Sequence, residues 1–199
     1  MNSPSNGLDG PVVLDASVLI NLIATADPSA VLGALGSPVV VGETAREVRR
    51  NPRTGAISTT LLEPFLAEPL TQVELTDNDA DRFVELVSAA PPNDLDDGEA
   101  ATLAYGTHRR HAIALDERKA WRIVSERFDE VQRFTTVGLY RHLLEHRLFD
   151  RAFIGSCVYD SCRFARMRVA AREVDWVLAL LDPRQVADCP GLRRHHRSD

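Results

Sequence analysis

The sequence feature that most constrains the fold is a short apolar run that ends in a carboxylate. Residues 12–14 read VVL, the β-branched, uninterrupted pattern of a buried parallel strand, and Asp15 ends the run. Ser17 stands at a predicted helix N-cap, and apolar residues then recur at helical spacing through residues 18–23. The sequence therefore predicts a carboxylate where a buried strand gives way to a helix, which is the edge at which open α/β sheets bind ligands.

Carboxylates follow two further apolar runs in the same way. Residues 39–41 predict a second buried strand, Gly42 turns the chain, and Glu43 begins the next helix. Residues 112–115 predict a third buried strand, which ends at Asp116. Because parallel strands share one carboxyl edge, we expect these acids to converge although they are far apart in the sequence.

The remaining pattern alternates strands and helices. We predict short strands at residues 70–75 and 131–136, and helices at residues 27–36, 77–90, 97–109, 117–128, 138–149 and 172–181, with one more helix bracketed by loops within residues 51–70. Strands that alternate with helices at this spacing indicate right-handed βαβ crossovers around a parallel sheet. We therefore expect an α/β fold, a three-layer α/β/α sandwich with a central parallel sheet.

Length and composition divide the chain into one domain and two flanking segments. A chain of 199 residues suits a single α/β domain with an appended segment. We expect a flexible N-terminal tail at residues 1–10, the α/β domain at residues 11–149, and a helical, Arg-rich C-terminal extension with a polar tail at residues 150–199. No apolar run has the length of a membrane span, and the first residues lack the pattern of a signal peptide, so we expect a cytoplasmic protein.

Charge is distributed unequally along the chain. Residues 1–100 carry 5 Lys and Arg against 16 Asp and Glu, whereas residues 101–199 carry 18 against 13. The acidic total argues against non-specific coating of DNA, but it is compatible with a local cationic surface beside an acidic centre. The three cysteines have no metal-site spacing, and we expect reduced thiols.

A fourth acidic group, Asp96, Asp97 and Glu99, opens the helix predicted at residues 97–109. Each acid taken singly has a structural explanation, because carboxylates at helix N-termini contribute about 0.3–1 kcal/mol through the helix dipole. Asp96 and Glu99 also have the spacing of a capping box. Four or more carboxylates at one edge repel one another, however, and some would be protonated unless a cation were bound.

Hard oxygen ligands of this kind favour Mg²⁺ or Mn²⁺. Such an ion lowers the pKa of a bound water and stabilises the charge that develops in phosphodiester hydrolysis. We expect Asp15 and Asp116 to be the inner ligands. Glu43 and Glu99 would coordinate a second ion or orient the attacking water, and Ser17 would hydrogen-bond the site. The sequence leaves the number of ions open.

At these residues the sequence resembles the PIN-domain family of nucleases. The resemblance rests on LDASVLIN at the first strand, on Glu43 after VVVG, on LDDGEAATLA and on IALDERKA, with TTVGLYRHLLEHRL after them. It covers about residues 11–149, and the order and spacing of the motifs are more specific than any single motif. The pairing of GEA with LDERKA looks most like the prokaryotic subset that includes toxins of type II toxin–antitoxin pairs.

The resemblance implies a Rossmann-like fold and Mg²⁺- or Mn²⁺-dependent cleavage of RNA. It carries the family's acidic positions, with a small polar partner, onto Asp15, Glu43, Glu99, Asp116 and Ser17. Either Asp97 or Glu99 fills the third acidic position, so the expected metal ligands are Asp15, Asp116, Glu99 and Asp97. The implied partners are an RNA substrate and an antitoxin protein, with a homodimer left open. The chain shows no antitoxin-like segment of its own.

Two other interpretations stay open at this stage. A PIN-like fold without activity would serve as an RNA- or protein-binding module, although a scaffold has no need to accumulate repulsive charge. A Rossmann-like phosphohydrolase acting on small molecules is the other. A haloacid-dehalogenase-type enzyme requires a second Asp two residues after its nucleophile, where this chain has Ser17. A dinucleotide-binding enzyme requires G-x-G-x-x-G after the first strand, which is missing.

Arginines are concentrated in the last third of the chain. They are Arg141, Arg147, Arg151, Arg163, Arg166, Arg168 and Arg172. This set would form either a surface that contacts phosphates or a solvated helix face held by salt bridges.

Overall fold

The computed structural model describes residues 8, 10–66 and 68–192, and its centre is a sheet of five parallel strands. The strands are β1 (Val12–Leu14), β2 (Pro38–Val41), β3 (Thr71–Val73), β4 (Ala112–Ala114) and β5 (Arg133–Phe134). Their order in the sheet is β3-β2-β1-β4-β5. Each predicted strand is confirmed, and the expected parallel arrangement with them.

The helices lie between and after the strands. They are α1 (Ala16–Ile23), α2 (Pro28–Ala34), α3 (Gly42–Glu47), α4 (Asp77–Val87), α5 (Asp97–Arg109), α6 (Arg118–Arg127), α7 (Thr136–Glu145), α8 (Arg151–Asp160), α9 (Val174–Leu178) and α10 (Pro183–Asp188). A π-helical turn at Ser161–Ala165 extends α8, and 3-10 turns occur at Glu63–Phe65 and Ala171–Glu173. No helix within the described residues combines the length and apolar character needed to cross a membrane.

Alternate residues of the strands enter different cores, which gives the three-layer sandwich. Val12 and Leu14 of β1 join a buried cluster with α1, α2, α7 and α8 on one face of the sheet. Val13, between them, packs against Ala101 of α5 on the other face. Ile113 of β4 joins a second cluster on that other face with residues of α4, α5 and α6. The expected α/β/α sandwich is confirmed.

The C-terminal part packs against the sheet domain through the first of these clusters. Ile154, Cys157 and Val158 of α8 are buried in the same cluster as β1 and α1, and Cys162 and Cys189 join them. The N-terminal tail predicted at residues 1–10 lies outside the described residues except for Leu8 and Gly10, and so does the polar tail from residue 193 onward.

Three local predictions are wrong. The helix predicted within residues 51–70 is a series of turns, because prolines interrupt it and Asn51 Oδ1 accepts hydrogen bonds from the backbone of Arg53 (2.9 Å) and Thr54 (3.1 Å). The helix predicted at residues 172–181 is confined to α9, because the chain turns before Asp182, whose carboxylate caps α10. Ser17 is not the N-cap of α1, because Asp15 itself occupies that position.

Candidate active site

Asp15 and Asp116 follow neighbouring strands and meet at the carboxyl edge of the sheet. Val12, Val13 and Leu14 pair in register with residues 112–114. The backbone N–H of Asp15 then donates to the carbonyl of Ala114 at 3.0 Å, so that Asp15 continues beside the end of β4. The parallel register therefore brings together two acids that are far apart in the chain, as the sequence predicts.

Asp15 is almost fully buried, at 5 % relative exposure, and is held by the first turn of α1. Its Oδ2 accepts hydrogen bonds from Ser17 Oγ at 2.7 Å and from the Ser17 backbone N–H at 3.2 Å. Burial raises the pKa of Asp15, the hydrogen bonds from Ser17 lower it, and the charge of Asp96 raises it further, with a net increase. Ser17 therefore contacts Asp15, as expected. It does so by donating hydrogen bonds to Asp15, which is the N-cap residue of α1.

Asp116 is held by three hydrogen bonds from two residues. Its Oδ1 accepts from the Thr136 backbone N–H at 2.8 Å, and its Oδ2 accepts from Thr136 Oγ1 at 2.6 Å and from Asn21 Nδ2 at 2.8 Å. Burial raises the pKa of Asp116 to about 6 against the effect of Thr136, and the charges of Asp15 and Glu173 contribute to the increase. The two strand-terminal acids therefore interact electrostatically.

Sequence reasoning missed Asn21 and Thr136. Asn21 is a buried polar residue in a helix whose other buried residues are apolar, and this exception in the pattern was the available signal. Thr136 follows the N-cap of α7, and its contact with Asp116 depends on how β5 and α7 are placed. Nothing in the local sequence around Thr136 indicates that contact.

Glu99 comes to the site from the first turn of α5. Asp96 caps that helix by accepting a hydrogen bond from the Glu99 backbone N–H at 2.8 Å. Burial raises the pKa of Glu99 to about 7, with further increases from the charges of Asp96 and Asp15, while Lys119 lowers it. Asp97 is exposed, and its charge acts on Glu47. Glu99 and the cap residue Asp96 therefore both interact electrostatically with Asp15.

Helix α3 supplies a carboxylate that sequence reasoning did not select. Burial raises the pKa of Glu47, the charges of Asp96 and Asp15 raise it further, and the Gly98 backbone N–H donates to it. Thr44 fixes α3 against α5, because its Oγ1 lies 3.0 Å from the Gly98 carbonyl and 2.8 Å from Thr102 Oγ1. Glu47 lies one helical turn after Glu43. Which of these two glutamates interacts with Asp15 depends on how α3 packs, and the sequence alone does not determine that packing.

The predicted Glu43 has different surroundings. Its Oε1 lies 3.6 Å from Nη1 of Arg46, and its buried Oε2 has no hydrogen-bond partner in the described part of the chain. Among the residues that the structure describes, no hydrogen bond or ion pair joins Glu43 to Asp15. The structure thus brings Asp15, Asp116, Glu99, Asp96 and Glu47 into electrostatic contact, and the exposed Asp97 acts on this group through Glu47.

The donor chemistry of this group fits a hard divalent cation, but the side chains do not form a ready-made cage. All the donors are carboxylate, amide or hydroxyl oxygens, which suit Mg²⁺ and Mn²⁺. The pKa values of Asp15, Glu99 and Asp116 are all raised by burial and by neighbouring acids, so ionising them together is costly unless a cation is bound. Within the described residues, however, no three Asp, Glu, His or Cys side chains stand close enough to hold a metal ion.

No family model matches this chain, and neither a curated protein nor a solved structure is similar enough to it to count as a match.

Proposed function

We propose that this protein is a divalent-metal-dependent endoribonuclease that hydrolyses RNA phosphodiester bonds, with Mg²⁺ or Mn²⁺ as its cofactor. The observation that carries the proposal is the meeting of Asp15, which is buried, and Asp116, which is partly buried, at the ends of β1 and β4, each with a raised pKa. Ionising both groups in this setting is costly, and a cation would remove that cost. The resemblance to PIN-domain nucleases supplies the choice of RNA as substrate.

Some residues of the chain would hold the carboxylates of the site in place, and another would take part in proton transfer. Ser17 holds the Asp15 carboxylate, and Asn21 and Thr136 hold Asp116 in a fixed orientation. When bound, the cation lowers the pKa of a bound water and stabilises the charge that develops on the phosphate. Glu99, which interacts electrostatically with Asp15, would accept a proton from the attacking water.

Cleavage of a labelled single-stranded RNA tests the proposal. The wild-type protein should cut internally with Mn²⁺ or Mg²⁺ and should not cut in EDTA. Asp15→Asn and Asp116→Asn should each lower the rate by about a hundredfold or more, as expected from the several kcal/mol that a catalytic metal supplies. Asp81→Asn, at an exposed acid on α4, is the matched control and should cut at the wild-type rate.

Two outcomes would favour the other functions. Binding of RNA to the same extent with and without EDTA, never followed by cleavage, would make the protein a binding module. Hydrolysis of p-nitrophenyl phosphate by a preparation that spares RNA would make it a small-molecule phosphohydrolase.

We further propose a toxin role in the cytoplasm, restrained by an antitoxin protein. This part rests on the resemblance of the GEA and LDERKA segments to the toxin-bearing subset. Expression of the wild-type chain in a bacterial host should arrest growth, and expression of Asp116→Asn should not. Co-expression of the adjacent reading frame should restore growth if that frame encodes the antitoxin. Equal growth with both chains would contradict the toxin role while leaving RNA cleavage in vitro unaffected.

A further inference from the structure

Three neighbouring cavities share lining residues, and two of them are lined by Asp116. A cavity of about 360 Å³ is lined by Asp116, Arg166 and Arg168 among others. A cavity of about 770 Å³ shares Asp116 and Arg168 with it and extends to Arg172. A third, of about 480 Å³, shares Arg166 with the first and extends to Arg50. We refer to these cavities together as the arginine groove, and each has the volume of an ordinary ligand site.

The C-terminal part builds one wall of the arginine groove. Residues 165–168 line the first cavity and residues 168–172 line the second, and most of this stretch lacks regular secondary structure. It is fixed at both ends, because the Met167 backbone N–H donates to the Ser161 carbonyl at 3.0 Å and Glu173 accepts a hydrogen bond from Thr135 Oγ1 at 2.5 Å. The wall is therefore a supported segment beside the candidate active site.

The arginines of this wall have guanidinium groups available to a ligand. Arg166 is exposed, and no hydrogen bond or ion pair joins its side chain to another described residue. Arg168 is 86 % exposed and lies 3.7 Å from Glu117, a surface pair that contributes at most about 1 kcal/mol. Arg172 is exposed and lies over the ring of Trp121, 4.4 Å from its centroid.

Other arginines of the C-terminal part are engaged within the protein. Arg151 donates to the Ala179 carbonyl, and Arg163 donates to the Tyr159 hydroxyl at 2.6 Å. Arg141 lies over the ring of Trp176, at 5.1 Å. The two interpretations of the arginine set therefore apply to different members. Arg151, Arg163 and Arg141 make internal contacts, whereas Arg166, Arg168 and Arg172 line the arginine groove with exposed side chains.

We propose that the arginine groove binds the sugar–phosphate backbone of single-stranded RNA on both sides of Asp116, and that Arg166, Arg168 and Arg172 are its phosphate contacts. The proposal rests on the proposed function, since it takes RNA as the substrate. Charge complementarity supports it, because a row of guanidinium groups suits phosphates and would offset the repulsion between RNA and the carboxylates. A single strand fits because Asp116 is only partly exposed where it lines two of these cavities, and a flexible backbone can bend toward it more readily than a rigid duplex.

Salt dependence of RNA binding tests the arginine groove. The probe is a fluorescein-labelled single-stranded RNA of about 12 nucleotides, titrated with the full chain in EDTA and followed by anisotropy from about 0.05 to 0.3 M salt. Each lost phosphate contact should reduce the slope of log K against log salt by about 0.7. The triple variant Arg166→Gln, Arg168→Gln, Arg172→Gln should therefore lose about 2 units of slope and bind at least about tenfold more weakly at low salt.

Two controls separate phosphate binding from a structural role. Arg147→Gln is matched to Arg166→Gln, because both residues are exposed and both have left-handed backbones, with φ of 58° and 57°. It should keep the wild-type slope. The triple Arg→Lys variant should also keep the slope, because the slope counts charges rather than side-chain shape. Circular dichroism of every variant checks that the fold is retained.

The outcomes distinguish the groove from the nuclease. A wild-type slope in the triple Gln variant, or an equal loss in Arg147→Gln, would overturn the arginine groove while Mn²⁺-dependent cleavage by the wild-type chain left the proposed function standing. Equal affinity for a duplex of the same sequence would overturn the single-strand assignment. If the triple Gln variant loses slope but the wild-type chain never cuts RNA, the result would support phosphate binding in the arginine groove and would contradict the proposed nuclease activity. A wild-type chain that neither binds nor cuts RNA would overturn both.

Discussion

Asn21 Nδ2 lies 2.8 Å from Asp116 Oδ2, although the two residues are 95 positions apart in the chain. The same amide nitrogen lies 3.1 Å from Thr136 Oγ1, which itself donates to Asp116. Asn21 is buried, so solvent does not compete for these hydrogen bonds. One amide group on α1 therefore fixes a carboxylate at the end of β4 and a hydroxyl at the start of α7.

Asn21→Ala should reduce RNA cleavage by about 10- to 100-fold, the usual cost of losing a residue that orients a metal ligand. The reason is that Asp116 loses a donor and its carboxylate becomes free to rotate. Stability should fall by about 1–3 kcal/mol, since Asp116 Oδ2 and the buried Thr136 Oγ1 each lose a hydrogen-bond donor. Kinetics with Mn²⁺ and urea denaturation measure the two effects. Asn78→Ala, at an exposed residue of α4, is the control. Unchanged cleavage by Asn21→Ala would contradict an orienting role.

Glu99 should make the metal-free protein less stable as the pH rises. Burial and the charges of Asp96 and Asp15 raise the pKa of Glu99 from 4.5 to about 7 in the folded state. Below pH 4.5 Glu99 is protonated in both states and does not lower the free energy of unfolding. The loss of stability grows as the pH rises and is complete above about pH 7. Because Glu99 is partly exposed, we expect about 1–2 kcal/mol rather than the full value of the shift.

Urea denaturation of Glu99→Gln in EDTA measures this cost. The variant should be more stable than the wild type at pH 8, and the difference should disappear near pH 4. Glu126→Gln, at an exposed residue of α6, should show no such trend. A constant difference between wild type and Glu99→Gln across that range would show that Glu99 titrates normally.

Binding of Mn²⁺ should release protons, and its apparent affinity should rise with pH. At pH 6.5 a fraction of Glu99, with a pKa of about 7, and of Asp116, with a pKa of about 6, is protonated and must ionise to bind a cation. The affinity should level off above about pH 8, where both groups are already ionised. Calorimetry in buffers of different ionisation enthalpy counts the protons released. Asp116→Asn should bind Mn²⁺ weakly and release fewer protons, whereas proton-independent binding at pH 6.5 would contradict a cation site beside Asp116 and Glu99.

The order of strands and helices could be predicted because the strands have a recognisable sequence pattern. Residues 12–14 and 39–41 are apolar on every position, as expected of strands covered on both faces, and Asp15 marks the end of the first. The helix at residues 97–109 has the predicted bounds. Residues 51–70 could not be predicted, because their turns depend on side-chain hydrogen bonds and leave no periodic pattern.

The residues of the candidate site likewise differ in how far they could be predicted from the sequence. Asp15 and Asp116 could be predicted to meet because their strand ends fix their positions, whatever the helices do. Asn21 and Glu47 lie on helices, where a rotation of one residue turns the side chain by about 100° away from the site. Their contributions depend on how α1 and α3 pack, which a single sequence does not determine.

Close packing of α5 against the sheet depends on Gly106, and this yields a test of the fold itself. A Cβ added at Gly106 would lie 2.5 Å from Cγ1 of Ile113, which is fully buried and has a stiff, β-branched side chain. Gly106→Ala should therefore destabilise the protein by about 1–3 kcal/mol, despite the better helix propensity of alanine.

Gly33→Ala is the matched control for this substitution. Gly33 also lies within a helix, α2, but the nearest atom to an added Cβ is 3.8 Å away, on Pro69. This variant should stabilise the protein by about 0.5–1 kcal/mol, because only the propensity changes. Urea denaturation compares the two, and Ile113→Ala should cost less in the Gly106→Ala background than in the wild type, because it removes the clash. Stabilisation by both glycine substitutions would mean that α5 does not approach β4 as closely as described.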